Sequence, residues 1–192
     1  MRYIPNVRTS LTKSTANALI GQLNGRNRID SFEAAKQVWN IDANAAAKEL
    51  IETLRAGRRA FNRSAAAYAM QAVSSASVIN ALERTVRNKS ENPNVRGHAA
   101  ESLAHRHRRS THNVLIKALQ DPSKDVRFWC AFALGQMQER KAVPILQLLL
   151  SDQRTVRGFY SVAKEAADAI SIIEQRKPKR RCPYCIRRGW PR

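Results

Sequence analysis

Acidic residues are scarce in this chain. Fifteen Asp and Glu face thirty-four Lys and Arg over 192 residues, a formal net charge of +19. A field this positive attracts polyanions and raises encounter rates with them. Cysteines are few and odd in number, three in all. That excludes a disulfide framework and makes a reducing cytoplasmic setting the expectation. No apolar run reaches the roughly 18 residues needed to span a membrane. The N-terminal MRYIPNVRTSLTK lacks the apolar core of a secretory signal. Aromatic residues make up only 6% of the chain, which leaves few rings for base stacking. There is no Gly-rich phosphate loop, no nucleophile elbow and no pair of carboxylates at a defensible spacing. The expectation is therefore a protein that is not an enzyme and carries no cofactor.

What is present is helical and periodic. In Asp121 to Ser151, Val126, Trp129, Cys130, Ala133, Leu134 and Met137 recur three and four apart and share one helix face. After a break, Val143, Ile145, Leu146, Leu149 and Leu150 make a second such face. Pro144 suits the first turn of that helix, where a missing N–H costs nothing. The pattern then repeats. Val95-Arg96, Val126-Arg127 and Val156-Arg157 are each read as opening a helix, with the Arg positions 31 and then 30 residues apart. Asn62-Arg63 lies 33 residues before Arg96 and precedes an alanine-rich helix. Leu19 to Leu23 matches Leu50 to Leu54 at a spacing of 31, with Phe32 in the Arg slot. The units run over about 11–39, 43–73, 76–107, 111–138 and 141–174.

A fixed period near 30 with two amphipathic helices is the signature of an all-α solenoid, in which stacked neighbours share one core. Asp125-Val126-Arg127, the run Ala131 to Gly135 and Ala142 to Leu146 resemble a HEAT repeat, in particular the short type first noted in phycobilisome lyases. The resemblance implies a right-handed α-solenoid of about five two-helix repeats. It also implies that Arg96, Arg127 and Arg157 form a partly buried structural ladder. Asp121 and Asp125 are expected to satisfy turn and helix N-terminal N–H groups. Ser31 and Asp42 are read as helix caps, and Asn88 to Asn94 as the longest polar turn of the array. The domain reading is one repeat domain over 1–175 and a basic tail over 176–192. That tail has three prolines, eight cations and no acid.

Cations recur in the turns inside the pairs: Arg26 and Arg28; Arg55, Arg58 and Arg59; Arg87 and Lys89; Lys124; Arg154. Equivalent turns of a solenoid align, so phase predicts a positive ridge. Cations at helix C-termini also favour the dipole and stay solvated, which is the plain alternative. Arg106, Arg108 and Arg109 form a second candidate phosphate patch, and Lys177, Lys179, Arg180 and Arg181 a third in the tail. His98, His105, His107 and His112 lie close in sequence, but His105 and His107 point about 200° apart on a helix and no acid or cysteine joins them at ligand spacing. No metal site is expected. Cys182-Pro183-Tyr184-Cys185 matches a glutaredoxin redox motif without the strand and helix that motif needs.

Two functions follow as expectations. One is a non-catalytic nucleic-acid-binding protein that contacts phosphates of duplex DNA or structured RNA through the ridge and tail. The other is a scaffold for an acidic protein partner. The fold class also includes HEAT-like DNA glycosylases, but Trp129 reads as core and Asp42, near Trp39, as a cap. No residue carries that activity over, and fold alone does not supply function.

Overall fold

The structure is a computed structural model that describes residues 13–40, 43–104, 106 and 108–174. Asp42, His105, His107 and everything assigned to the tail lie outside the described residues. Ten α-helices follow one another: α1 Lys13–Leu23, α2 Arg28–Gln37, α3 Ala47–Ala56, α4 Ala60–Ala69, α5 Ala76–Arg87, α6 Pro93–Ser102, α7 Arg109–Ala118, α8 Lys124–Gln136, α9 Val143–Leu148 and α10 Val162–Ile173. Among the described residues there is no strand, only an isolated antiparallel bridge between Thr155 and Ser161. The fold is all-α and built of helix pairs at the expected period. The helices group into two compact units, Met1–Ala81 and Leu82–Arg192.

In the first unit α1 packs on α2, α3 on α4, and α2 on α4. Alanine makes the close approach of α4 possible: Ala65, Ala66, Ala67 and Ala69 are fully buried. Their small side chains leave the volume to Tyr68, whose ring lies 4.9 Å from Trp39 and 6.0 Å from Phe32. Asn27 caps α2 by accepting from the Ile29 amide, so the helix starts ahead of Ser31, the expected cap. Ser31 is buried and its hydroxyl donates to the Asn27 carbonyl.

In the second unit α8 lies between α6 and α10, while α7 packs on α8 and α9 on α10. Two glycines set the closeness of this stack. A Cβ on Gly97 would stand 2.7 Å from Trp129 Cδ1, and one on Gly135 would stand 2.9 Å from the Ala169 Cα. Trp129 and Cys130 are buried, as their helical phase requires. Burial pushes the Cys130 thiol far above its ordinary range.

The last repeat departs from the expected phase. Val156-Arg157 does not open a helix. The chain forms a turn through Arg157 and Gly158, the latter at φ 81°, and α10 begins at Val162 behind the Ser161 cap. Glycine serves there because L side chains rarely adopt that φ. This segment, and not Asn88 to Asn94, is the longest irregular connection among the described residues. The shorter Asn88 turn is closed by two Asx bonds, Ser90 N–H to Asn88 Oδ1 at 3.2 Å and Asn94 N–H to Asn92 Oδ1 at 2.9 Å.

Candidate nucleic-acid interface

The turn between α1 and α2 and the turn between α3 and α4 are fastened to each other. Asn62, buried at the start of α4, donates its carboxamide N–H to the Leu23 carbonyl at 2.8 Å, the Gly25 carbonyl at 3.1 Å and Ser31 Oγ at 3.2 Å. Asn24 Nδ2 donates to Thr53 Oγ1 at 3.0 Å, and Arg63 Nη1 donates to the Gly57 carbonyl at 2.8 Å. The fastening places Arg26, Arg28, Arg55, Arg58 and Arg59 on one edge of the first unit, all solvent-exposed.

Their helix positions decide between the two explanations of the cations. Arg28 is the first residue of α2 and Arg59 immediately precedes α4. Both stand at the positive ends of helix dipoles, where a cation is disfavoured. Helix stabilisation therefore does not account for them. α4 also begins without a side-chain cap, so its first amides face the edge unengaged by any side chain. Uncapped amides and arginines at a helix N-terminus make a phosphate-binding arrangement. Each of these two arginines lies over a ring, Arg28 Cζ 5.9 Å from the Phe32 centroid and Arg59 Cζ 5.9 Å from Phe61. Such contacts hold a guanidinium while leaving its donors outward. Arg55 differs. It pairs with Glu52 at 2.6 Å, and that hydrogen bond holds the Glu52 carboxyl below its ordinary range.

In the second unit the corresponding region is charge-compensated and structural. Arg96 is 3% exposed; its guanidinium holds the Asp121 carboxylate and donates to the Val86 carbonyl at 3.0 and 3.1 Å. Arg127 is 4% exposed and donates to Asp152 at 2.6 and 2.9 Å and to the Asp121 carbonyl at 2.5 Å. Asp121 also accepts from the Ser123 amide, the turn role expected of it. The ladder thus runs through Arg96 and Arg127 and stops there. Arg157 is exposed in its turn, and Glu165 takes the fourth position of α10 that Arg96 and Arg127 take in α6 and α8. Tyr160 donates its hydroxyl to Glu165 at 2.8 Å. Burial alone would raise the Asp152 carboxyl. The hydrogen bonds from Arg154 and Arg127 outweigh it and hold the group at about 2.

The remaining predicted cations divide. Arg87 is exposed with Glu83 at 3.6 Å, Lys89 is exposed in the Asn88 turn, Lys124 is half-buried, and Arg154 is bound to Asp152 at 2.7 Å. Arg106 is half-buried, and burial lowers its pKa. Arg108 and Arg109 are exposed at the start of α7. They sit beyond the C-terminal end of α6 and Lys89 ahead of its N-terminal end, about 15 Å away for a ten-residue helix. The second unit therefore does not carry one continuous patch. Lys177, Lys179, Arg180 and Arg181 lie outside the described residues. The histidines are dispersed: His98 faces Glu101 at 3.1 Å and stacks near Trp129, while His112 faces Glu139.

Sequence reasoning passes over Asn62, Phe61 and Ile29 as functional residues. For Asn62 the one signal is a polar side chain in an alanine-rich apolar helix.

Residues 84–163 match the family described as HEAT repeats. Among curated proteins none matches the chain in sequence. Two solved structures are similar to it. One is human deoxyhypusine hydroxylase in complex with glycerol, 14% identical over 84% of this chain and 85% of that one, with a TM-score of 0.43. The other is an engineered protein, 19% identical over 82% of this chain and 78% of that one, with a TM-score of 0.49.

Proposed function

The chain is a HEAT-repeat protein, with the family match over residues 84–163, and from that premise we propose that it is a non-catalytic scaffold that binds duplex nucleic acid through phosphate contacts. The observation that carries this reading is the edge of the first unit. Arg26, Arg28, Arg58 and Arg59 are exposed there, and two of them stand where a helix dipole disfavours a cation. Arg55 joins them as a weaker contributor, since an exposed pair such as Arg55–Glu52 exchanges readily with phosphate. Arg87, Lys89, Arg108, Arg109 and the tail cations add to the long-range attraction. The cytoplasm is the proposed setting. Among the described residues no helix is long and apolar enough to cross a membrane.

One observation favours a protein partner instead. Leu148 and Leu150 are exposed on the last repeat, 71% and 44%, beside a groove lined by Leu119, Ile145 and Leu149. The test separates the two readings. Purified protein should carry nucleic acid, read as excess absorbance at 260 nm that high salt removes, and the stripped protein should bind duplexes with steep salt dependence. A clean preparation that ignores duplexes at low salt contradicts the proposal and leaves the protein-scaffold reading.

A further inference from the structure

We propose that the duplex held on the first unit's edge is DNA and not RNA, with Ile29 seated against deoxyribose in the minor groove. This rests on the nucleic-acid reading above and narrows its ligand class. Ile29 is the second residue of α2 and 71% exposed. Its amide is fixed to the Asn27 carboxamide oxygen at 2.9 Å, and Arg28 and Arg26 are its neighbours in the chain. A lone exposed isoleucine usually needs no account. This one stands beside the cations that would draw phosphates in, so a backbone bound by Arg26 and Arg28 covers it.

The chemistry of that cover separates the two nucleic acids. Deoxyribose offers a C–H surface at the 2′ carbon, which packs on an isoleucine without loss. Ribose offers a hydroxyl there, and burying it against an alkyl group without a partner is costly. The edge has little to meet a 2′-hydroxyl. The Asn27 oxygen is engaged by the Ile29 amide, and the Asn62 nitrogen is buried on Leu23, Gly25 and Ser31. Gly25, Gly57 and Ala60 have no polar side chain. The arginines are engaged by phosphate. Asp30 lies about 200° around the helix from Arg28, on the other flank.

Groove geometry agrees. α2 and α4 pack directly, so their N-termini are about 8–10 Å apart, the ordinary interaxial distance. That suits two strands flanking a B-form minor groove about 6 Å wide. The A-form minor groove is wide, shallow and lined with 2′-hydroxyls. Apolar side chains set among basic ones are a recurrent device of minor-groove binding.

The test uses the full chain with DNA and RNA duplexes of one sequence, titrated by fluorescence anisotropy at fixed salt. The parent should bind DNA more tightly. Ile29→Ser should weaken DNA binding by roughly 5- to 10-fold, the effect of losing one partly buried aliphatic side chain. It should leave RNA binding and the DNA salt slope unchanged, while Ile29→Leu keeps the preference. Arg28→Gln should weaken both duplexes alike. Ile29 is exposed, so a melting curve that matches the parent's confirms that the serine variant folds. Equal affinity of the parent for both duplexes, or an Ile29→Ser loss shared by both, overturns the DNA assignment and leaves phosphate binding standing. Failure of the parent to bind either duplex sinks the nucleic-acid reading itself, and this proposal with it.

Discussion

Arg59 and Arg127 stand near the N-terminus of the second helix of a pair, one in each compact unit. Arg127 is buried on Asp152. Arg59 is exposed over Phe61. The contrast extends to their neighbours. Arg96 is buried on Asp121, whereas Arg26, Arg28 and Arg58 are exposed. What separates the sets is an acid one repeat later. Asp121 follows Arg96 by 25 residues and Asp152 follows Arg127 by 25. The residue 25 places after Arg28 is Thr53, and after Arg59 it is Arg84. An arginine with the downstream acid builds the stack, and one without it is left at the surface.

The comparison breaks most visibly under Arg96→Ala. It leaves Asp121 buried without its counter-charge and should cost about 3–5 kcal/mol, while Arg59→Ala should stay within about 0.5 kcal/mol. Denaturant midpoints of the two variants measure this, and equal shifts contradict the division. Arg127→Ala should fall between them, because Arg154 still engages Asp152.

Glycines sharpen the same contrast. Gly135→Ala drives a methyl into the α10 backbone and should cost about 1–3 kcal/mol. Gly21→Ala, in α1 with nothing within 4 Å of the new methyl, should instead stabilise by about 0.4–1 kcal/mol. Thermal shifts of opposite sign are the expected readout.

Acid titration gives a smaller effect. The folded pKa of Asp152, about 2, lies below the ordinary 3.8. A depressed carboxyl contributes stability that is complete above the unfolded value and is lost as pH falls through the folded one. The loss from this group therefore develops between about pH 4 and pH 2. Arg154→Gln removes one of the hydrogen bonds that depress it, so acid unfolding followed by circular dichroism should begin at a higher pH. An unchanged acid limb would show that Arg127 alone sets the Asp152 charge.

The period is legible in the sequence because buried faces recur in phase, and ten helices fall close to where apolar spacing puts them. The buried character of Arg96 and Arg127 is legible only through the HEAT resemblance. Their acids, Asp121 and Asp152, do not announce the pairing, because a contact between neighbouring repeats leaves no local pattern. Val156-Arg157 misleads for the opposite reason. It repeats the dipeptide, but the turn at Gly158 lengthens the connection and hands the fourth position of α10 to Glu165. Phase alone locates the edge arginines. It does not give their engagement, since Arg55 meets Glu52 three residues away while Arg28 and Arg59 meet rings. Asn62 escapes a sequence reading because its three acceptors lie in a turn more than thirty residues earlier.

The most direct measurement is the salt dependence of duplex DNA binding for the quadruple variant Arg26→Gln, Arg28→Gln, Arg58→Gln, Arg59→Gln beside the parent. Removing one arginine–phosphate interaction should reduce the log–log slope by about 0.9, so the variant's slope should fall by up to about 3–4 units. Its melting temperature should be unchanged, because none of the four holds the stack. A variant that binds with the parent's slope and affinity would contradict the assignment of this edge to phosphate.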